Sequence, residues 1–117
     1  MLTKFVFTLG VVLLFTHELD AIRHHEWRLF AFLRPFGEEG AYQLFVLLHI
    51  PLFMLFLWPL LMPARRLEIT IDLFLIIHVG LHYLFRNHSH YTFHGWLSHG
   101  VIALAGAVGA WHLWLIF

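Results

Sequence analysis

The chain has 117 residues, of which 61% are hydrophobic, and its seven Lys and Arg residues balance seven Asp and Glu. This balance excludes a general attraction to nucleic acid, and the apolar content excludes an ordinary soluble domain of this length. Cysteine is absent, which excludes disulfides, thiolate metal sites and iron–sulfur clusters. The composition predicts an all-α integral membrane protein, because helices satisfy their own backbone hydrogen bonds in a bilayer.

Four apolar segments are close to the length of about 20 residues that one membrane crossing needs. Short connections separate them, so residues 1–117 are predicted to form a single four-helix bundle. The predicted spans are residues 3–20, 41–62, 67–86 and 95–117.

The first span is followed by an aromatic and basic stretch that contains Trp27 and Arg28. Such residues favour the membrane interface, and no helix breaker occurs before Pro35. We therefore expect the first helix to continue to Leu33 as a short interfacial extension. The fourth span is rich in Gly and Ala, which lets helices approach closely and predicts self-association into a homo-oligomer.

Histidine dominates the stretch from His78 to His99, which holds six of the eleven histidines. Imidazole is costly at membrane depth unless it is hydrogen-bonded or bound to a metal. In an alternating bundle, every histidine except His112 falls toward one membrane face. Near the other face, Asp72 is expected to cap its helix or to pair with Arg65 or Arg66. The sequence thus predicts one polar site at one face.

Helical spacing groups these histidines further, because residues three, four or seven apart share a face. His78 and His82 are i,i+4, and His90 and His94 have the same spacing if their connection is helical. A second stripe joins His17, Asp20 and His24. The predicted metal ligands are His17, Glu18, Asp20, His24, His49, His78, His82, His90, His94 and His99.

Imidazole and carboxylate ligands without thiolate suit iron, zinc and similar transition metals. The number of imidazoles predicts a dinuclear centre, and one metal with further histidines around it is the alternative. Iron would suit oxidation and zinc would activate water for hydrolysis. Either reaction would act on a lipid-like substrate that enters sideways from the bilayer.

Two other functions remain open from the residues alone. A haem- or chlorin-binding subunit of an electron-transfer complex would use His49 and His78 as axial ligands. A metal-ion handling or transport protein would use the imidazoles as a relay across the membrane. Transport is less favoured, because only His112 and Asp72 lie toward the opposite face.

Short histidine motifs in this chain resemble motifs of a known family. The HxxxH pattern at His78 and His82, the pair His24-His25 and the HxxxH pattern at His90 and His94 resemble the histidine boxes of membrane fatty-acid desaturases and hydroxylases. This resemblance implies a di-iron site for oxygen-dependent lipid oxidation.

A second resemblance covers most of the chain. The segment His17-Glu18-Leu19-Asp20-Ala21, followed by Glu26-Trp27-Arg28, resembles an uncharacterised family of small four-span bacterial membrane proteins. It implies the same four-span fold and a place in the bacterial inner (cytoplasmic) membrane, and it implies no activity.

Overall fold

A computed structural model describes all 117 residues, and its secondary structure consists of helices without strands. Four segments are long and apolar enough to cross a membrane. This confirms the predicted all-α, four-helix fold. The α-helices are α1 (Leu2–Arg23), α2 (Gly37–Leu61), α3 (Arg65–Phe85) and α4 (Trp96–Ile116), and two short 3₁₀ helices, Glu26–Leu29 and Ala31–Phe36, join α1 to α2.

The expected continuation of α1 to Leu33 is wrong. The helix ends at Arg23, and His25 takes a left-handed backbone conformation with φ of 52°. Histidine is among the residue types that tolerate this region better than most, so no glycine or proline signals the break. The residues of the expected extension form the two 3₁₀ helices instead.

The extension is held by contacts with α2. The side chains of Trp27 and Arg28 donate hydrogen bonds to Glu38 in the first turn of α2, over 3.1 and 2.9 Å. Trp27 and Leu33 are buried against Phe45. These contacts pack the two 3₁₀ helices against α2.

The spans α1, α3 and α4 form the well-packed part of the bundle. Leu14 of α1, Leu75 of α3 and Ala105 of α4 meet in one buried cluster. A Cβ atom on Gly106 of α4 would lie 2.5 Å from Val79 Cγ2, and one on Gly109 would lie 3.1 Å from the Asp72 carbonyl oxygen. These glycines therefore serve the α3–α4 packing within the chain.

In contrast, α2 is the least buried span. Large apolar side chains cover its outer surface, including Leu47, Ile50 and Met54, each more than half exposed. Such a surface suits lipid contact better than water contact. Because α2 packs loosely, an apolar cavity remains on each of its sides, one toward α3 and one toward α1.

Candidate metal centre

Three histidines from two spans bring their Nε2 atoms together. His17 lies near the end of α1, and His78 and His82 share one face of α3 as their spacing predicts. The Nε2 atom of His78 lies 3.0 Å from that of His17 and 3.2 Å from that of His82. His17 is only 1% exposed. The structure thus gathers three of the predicted ligands at one buried point.

Glu26 supplies a carboxylate to the same point. It follows the left-handed residue His25, and this turn directs its side chain back toward α1. Glu26 Oε2 lies 3.6 Å from His17 Nε2 and has no hydrogen-bond partner, although the residue is only 6% exposed. Glu26 was not among the predicted ligands, because a continuous helix would carry it away from the stripe of His17.

The geometry of these four residues fits a cation. One ligand atom from each of His17, Glu26, His78 and His82 lies within 4.8 Å of the others. Bonds of about 2.0–2.1 Å to a tetrahedral metal would put neighbouring ligand atoms about 3.3 Å apart. The observed separations of 3.0, 3.2 and 3.6 Å are close to that spacing. We call these four residues the His₃Glu group.

Burial shapes the electrostatics of Glu26. Burial and, next, the nearby Glu18 carboxyl group raise the pKa of Glu26 to about 8. A buried carboxylate without a cationic partner is costly, which is why the protonated form is favoured. A divalent cation between the three imidazoles would supply the missing partner.

A loop residue fixes one of the imidazoles. Tyr91 lies in the connection between α3 and α4, and its hydroxyl is 3.2 Å from His82 Nδ1. Burial also raises the pKa of Tyr91, so the phenol stays protonated. Phe93 of the same loop is fully buried, and its ring centre is 4.8 Å from that of His82. Metal-bound histidines typically carry such a partner on the second ring nitrogen.

Glu18 and His49 form a separate pair beside the group. His49 Nε2 lies 2.6 Å from Glu18 Oε2, and His49 Nδ1 lies 2.5 Å from the Phe45 carbonyl oxygen. Both ring nitrogens of His49 are therefore hydrogen-bonded. The pairing of His49 and His78 as two axial haem ligands stays a prediction.

Asp20 and His24 lie in another neighbouring network. His24 Nε2 is 3.2 Å from Asp20 Oδ1, and Ser98 Oγ of α4 donates to Asp20 Oδ2 over 2.5 Å. His24 Nδ1 also contacts the Thr92 hydroxyl at 2.8 Å. These two predicted ligands therefore connect the end of α1 to α4 and to the connection between α3 and α4.

The remaining predicted ligands are exposed. The connection that carries His90 and His94 is not helical, so the two do not share a face. His94 Nε2 contacts the Tyr91 carbonyl oxygen at 3.2 Å. His90 and His99 lie at the surface, apart from the four residues of the His₃Glu group.

The opposite end of the bundle has its own buried pair. His112 Nδ1 lies 2.6 Å from Asp72 Oδ2, with the two residues 2% and 1% exposed. The expectation that Asp72 pairs with Arg65 or Arg66 is thus wrong. Arg65 instead donates to the Ile116 carbonyl oxygen. In a membrane-depth environment the two buried groups satisfy each other better than a flexible surface arginine would.

A cavity of about 290 Å³ adjoins the His₃Glu group between α2 and α3. Glu26, His78 and His82 line it together with mainly apolar side chains. Leu48 and Leu81 line it as well and are each more than 40% exposed on the outer surface. The cavity therefore extends from the outer apolar surface to three of the four candidate ligands.

These features define a class: an all-helical protein with four potential membrane spans and a buried histidine–carboxylate group that could hold a metal ion. The chain matches a family of unknown function, DUF6713, over residues 3–117, and it belongs to that family. No curated protein and no solved structure matches it.

Proposed function

We propose that this protein is a membrane metalloenzyme that holds a transition metal in its His₃Glu group. The observation that carries the proposal is the convergence of three Nε2 atoms and an unpartnered carboxylate oxygen at one buried point. Polar atoms in such a place normally have partners. A cation is the partner that suits all four at once.

Hydrogen bonds among the three imidazoles cannot give every Nε2 atom a matching partner. A neutral imidazole has one N–H donor and one acceptor nitrogen. His78 Nε2 faces the Nε2 atoms of both His17 and His82, and it can serve only one of the two as a donor or an acceptor. A metal removes this conflict because each Nε2 then offers its lone pair to the same ion.

One ion is the occupancy that the four ligands support best. Zinc and iron both suit three imidazoles and one carboxylate. A second ion, as in a dinuclear centre, would have to use Glu18 and His49, whose 2.6 Å contact it would break. The metal-to-protein ratio separates these two cases.

The adjoining cavity favours catalysis over a purely structural metal. It gives a molecule from the bilayer direct access to Glu26, His78 and His82. Bound zinc would activate water for hydrolysis, and bound iron would support oxidation by dioxygen with a reductant. The protein's own residues would orient the lipid-like substrate through the apolar walls and keep bulk water away. The resemblance to bacterial four-span proteins suggests the bacterial inner membrane as the location.

The haem and transport alternatives have less support. Axial ligation by His49 would require its hydrogen bonds to Glu18 and Phe45 to break. Transport would need a polar path between the two ends. A buried apolar cluster that includes Phe7, Leu14 and Leu75 lies there instead.

The test is metal analysis and absorption spectroscopy of the protein, purified without a metal-chelating tag. We expect about one equivalent of zinc or iron per chain. An intense porphyrin band would overturn the proposal in favour of haem, and absence of both metal and chromophore would overturn it outright. Catalysis is tested by mass spectrometry of bilayer lipids incubated with metal-loaded and metal-stripped protein. Lipid products that form equally with both would contradict the enzymatic part.

A further inference from the structure

His112, the hydrogen-bond partner of Asp72, forms part of the wall of a second polar site at the opposite end of the bundle. A cavity of about 270 Å³ lies where the start of α1, the start of α3 and the end of α4 meet. It is more polar in lining than the cavity beside the His₃Glu group. Its polar lining residues are Thr3, Lys4, Arg65, Glu68 and His112.

His112 is directed into this cavity by its partner. The contact between its Nδ1 atom and Asp72 Oδ2 fixes the ring, and a carboxylate can only accept there, so Nδ1 carries the proton. His112 Nε2 has no hydrogen-bond partner in the protein and is accessible from the cavity that the ring lines, although the residue is only 2% exposed. A ring nitrogen in this position takes a ligand or an ordered water as its partner.

The charged side chains around the cavity indicate the charge of the ligand that it would bind. Lys4 Nζ donates to the Pro59 carbonyl oxygen over 3.0 Å and lies 3.6 Å from Glu68 Oε1, so the only acidic side chain in the lining is already matched. Arg65 uses one of its five N–H groups on the Ile116 carbonyl oxygen, and the others remain available. The unused groups of Lys4 and Arg65 are therefore donors, and in the lining these two basic side chains stand against one carboxylate.

We infer that this cavity binds a phosphate-bearing anion, held by Arg65 and Lys4 beside the ring of His112. Guanidinium and ammonium donors suit phosphate oxygens, and their hydrogen bonds to an anion are the strong, charge-assisted kind. The cavity lies at the end of the spans, where phosphate is present both as lipid headgroups and as a free ion. Apolar side chains at its border, including Phe7 and Ile116, suit the glycerol and acyl part of a lipid.

Native mass spectrometry of the detergent-solubilised protein tests the inference. The probes are phosphatidylglycerol, the zwitterionic phosphatidylcholine and inorganic phosphate. We expect one phosphatidylglycerol per chain to be retained in preference to phosphatidylcholine. If inorganic phosphate competes with that lipid, the free ion is also a ligand, and if it does not, the site belongs to the lipid headgroup alone. Equal retention of phosphatidylglycerol and phosphatidylcholine, without phosphate binding, would overturn the inference.

Two neighbouring arginines provide a matched control. Arg65 lines the cavity and Arg66 does not, while both are exposed at the start of α3. We expect Arg65→Gln to weaken phosphatidylglycerol binding by about tenfold, the loss of roughly one charge-assisted hydrogen bond, and Arg66→Gln to leave it nearly unchanged. Equal effects would mean that only general surface charge attracts the lipid. Lys4→Gln is a second lining variant, and helix content by circular dichroism shows that each variant is folded.

Discussion

Both ends of this bundle bury histidine and carboxylate side chains, but their polar atoms are partnered in different ways. At one end, Asp72 and His112 form a pair in which one acceptor meets one donor over 2.6 Å. At the other end, the His₃Glu group gathers three imidazoles and one carboxylate whose atoms face one another without matching donors. The number of polar groups alone therefore does not identify a metal site. What indicates a candidate metal site is the balance between hydrogen-bond donors and acceptors. In the His₃Glu group acceptor atoms are in surplus, and a cation would be their partner.

The largest expected contrast concerns metal content. His82→Ala removes one of four ligands and should lower metal affinity by at least about a hundredfold, more than the loss of an outer partner costs. His112→Ala removes an equally buried imidazole from the other end and should retain the metal. Both are measured by metal analysis after dialysis against a weak chelator. Equal metal retention in the two variants would contradict the assignment of the metal site to the His₃Glu end of the bundle.

A smaller effect is expected on stability at the opposite end. Asp72→Ala leaves the His112 Nδ1 donor buried without a partner, which should lower the free energy of unfolding by about 1–3 kcal/mol. The thermal midpoint in detergent measures it, with Glu39→Ala, at the exposed start of α2, as the control. Metal content should not change. A variant that combines Asp72→Ala with His112→Leu should recover part of the loss. Failure to recover would show that the hydrogen bond is not the cause.

The smallest effect tests how the His₃Glu group is oriented. Tyr91→Phe keeps the buried ring and removes only the hydroxyl that contacts His82 Nδ1. We expect about a tenfold loss of metal affinity, the lower end of what partners of metal ligands contribute. Tyr83→Phe is the control, because Tyr83 is 63% exposed and contacts none of the four ligands. Cobalt substitution adds a readout, since a displaced imidazole changes the visible spectrum. An unchanged spectrum and affinity would leave Tyr91 with a packing role only.

The sequence allowed the fold to be predicted because hydropathy and length specify membrane helices almost without regard to tertiary contacts. It also allowed His78 and His82 to be paired, since i,i+4 spacing is a local property of one helix. His17 could be assigned to the same side from the alternation of spans. These three residues are the part of the candidate site that local geometry determines.

The other parts of the candidate site could not be predicted from the sequence, because they depend on tertiary structure. Glu26 joins the group only because the backbone reverses at His25, and that reversal depends on the packing of Trp27 and Leu33 against α2. The metal roles predicted for Glu18 and His49 remain predictions, as the two residues contact each other. His90 and His94 were grouped on the assumption of a helical connection, which the structure does not contain.

The reversal at His25 also has a consequence for biogenesis. The three imidazoles of the His₃Glu group belong to α1 and α3, and they meet as soon as these two helices associate within the bilayer. The carboxylate of Glu26 belongs to the short 3₁₀ helix Glu26–Leu29, which lies outside the four candidate spans. An ion arriving from the aqueous side could therefore reach the imidazoles before Glu26 moves into place. The last step of maturation would then be the closing of this segment over the bound ion, and hydrogen exchange of the Glu26–Leu29 amides would report whether a given molecule has been loaded.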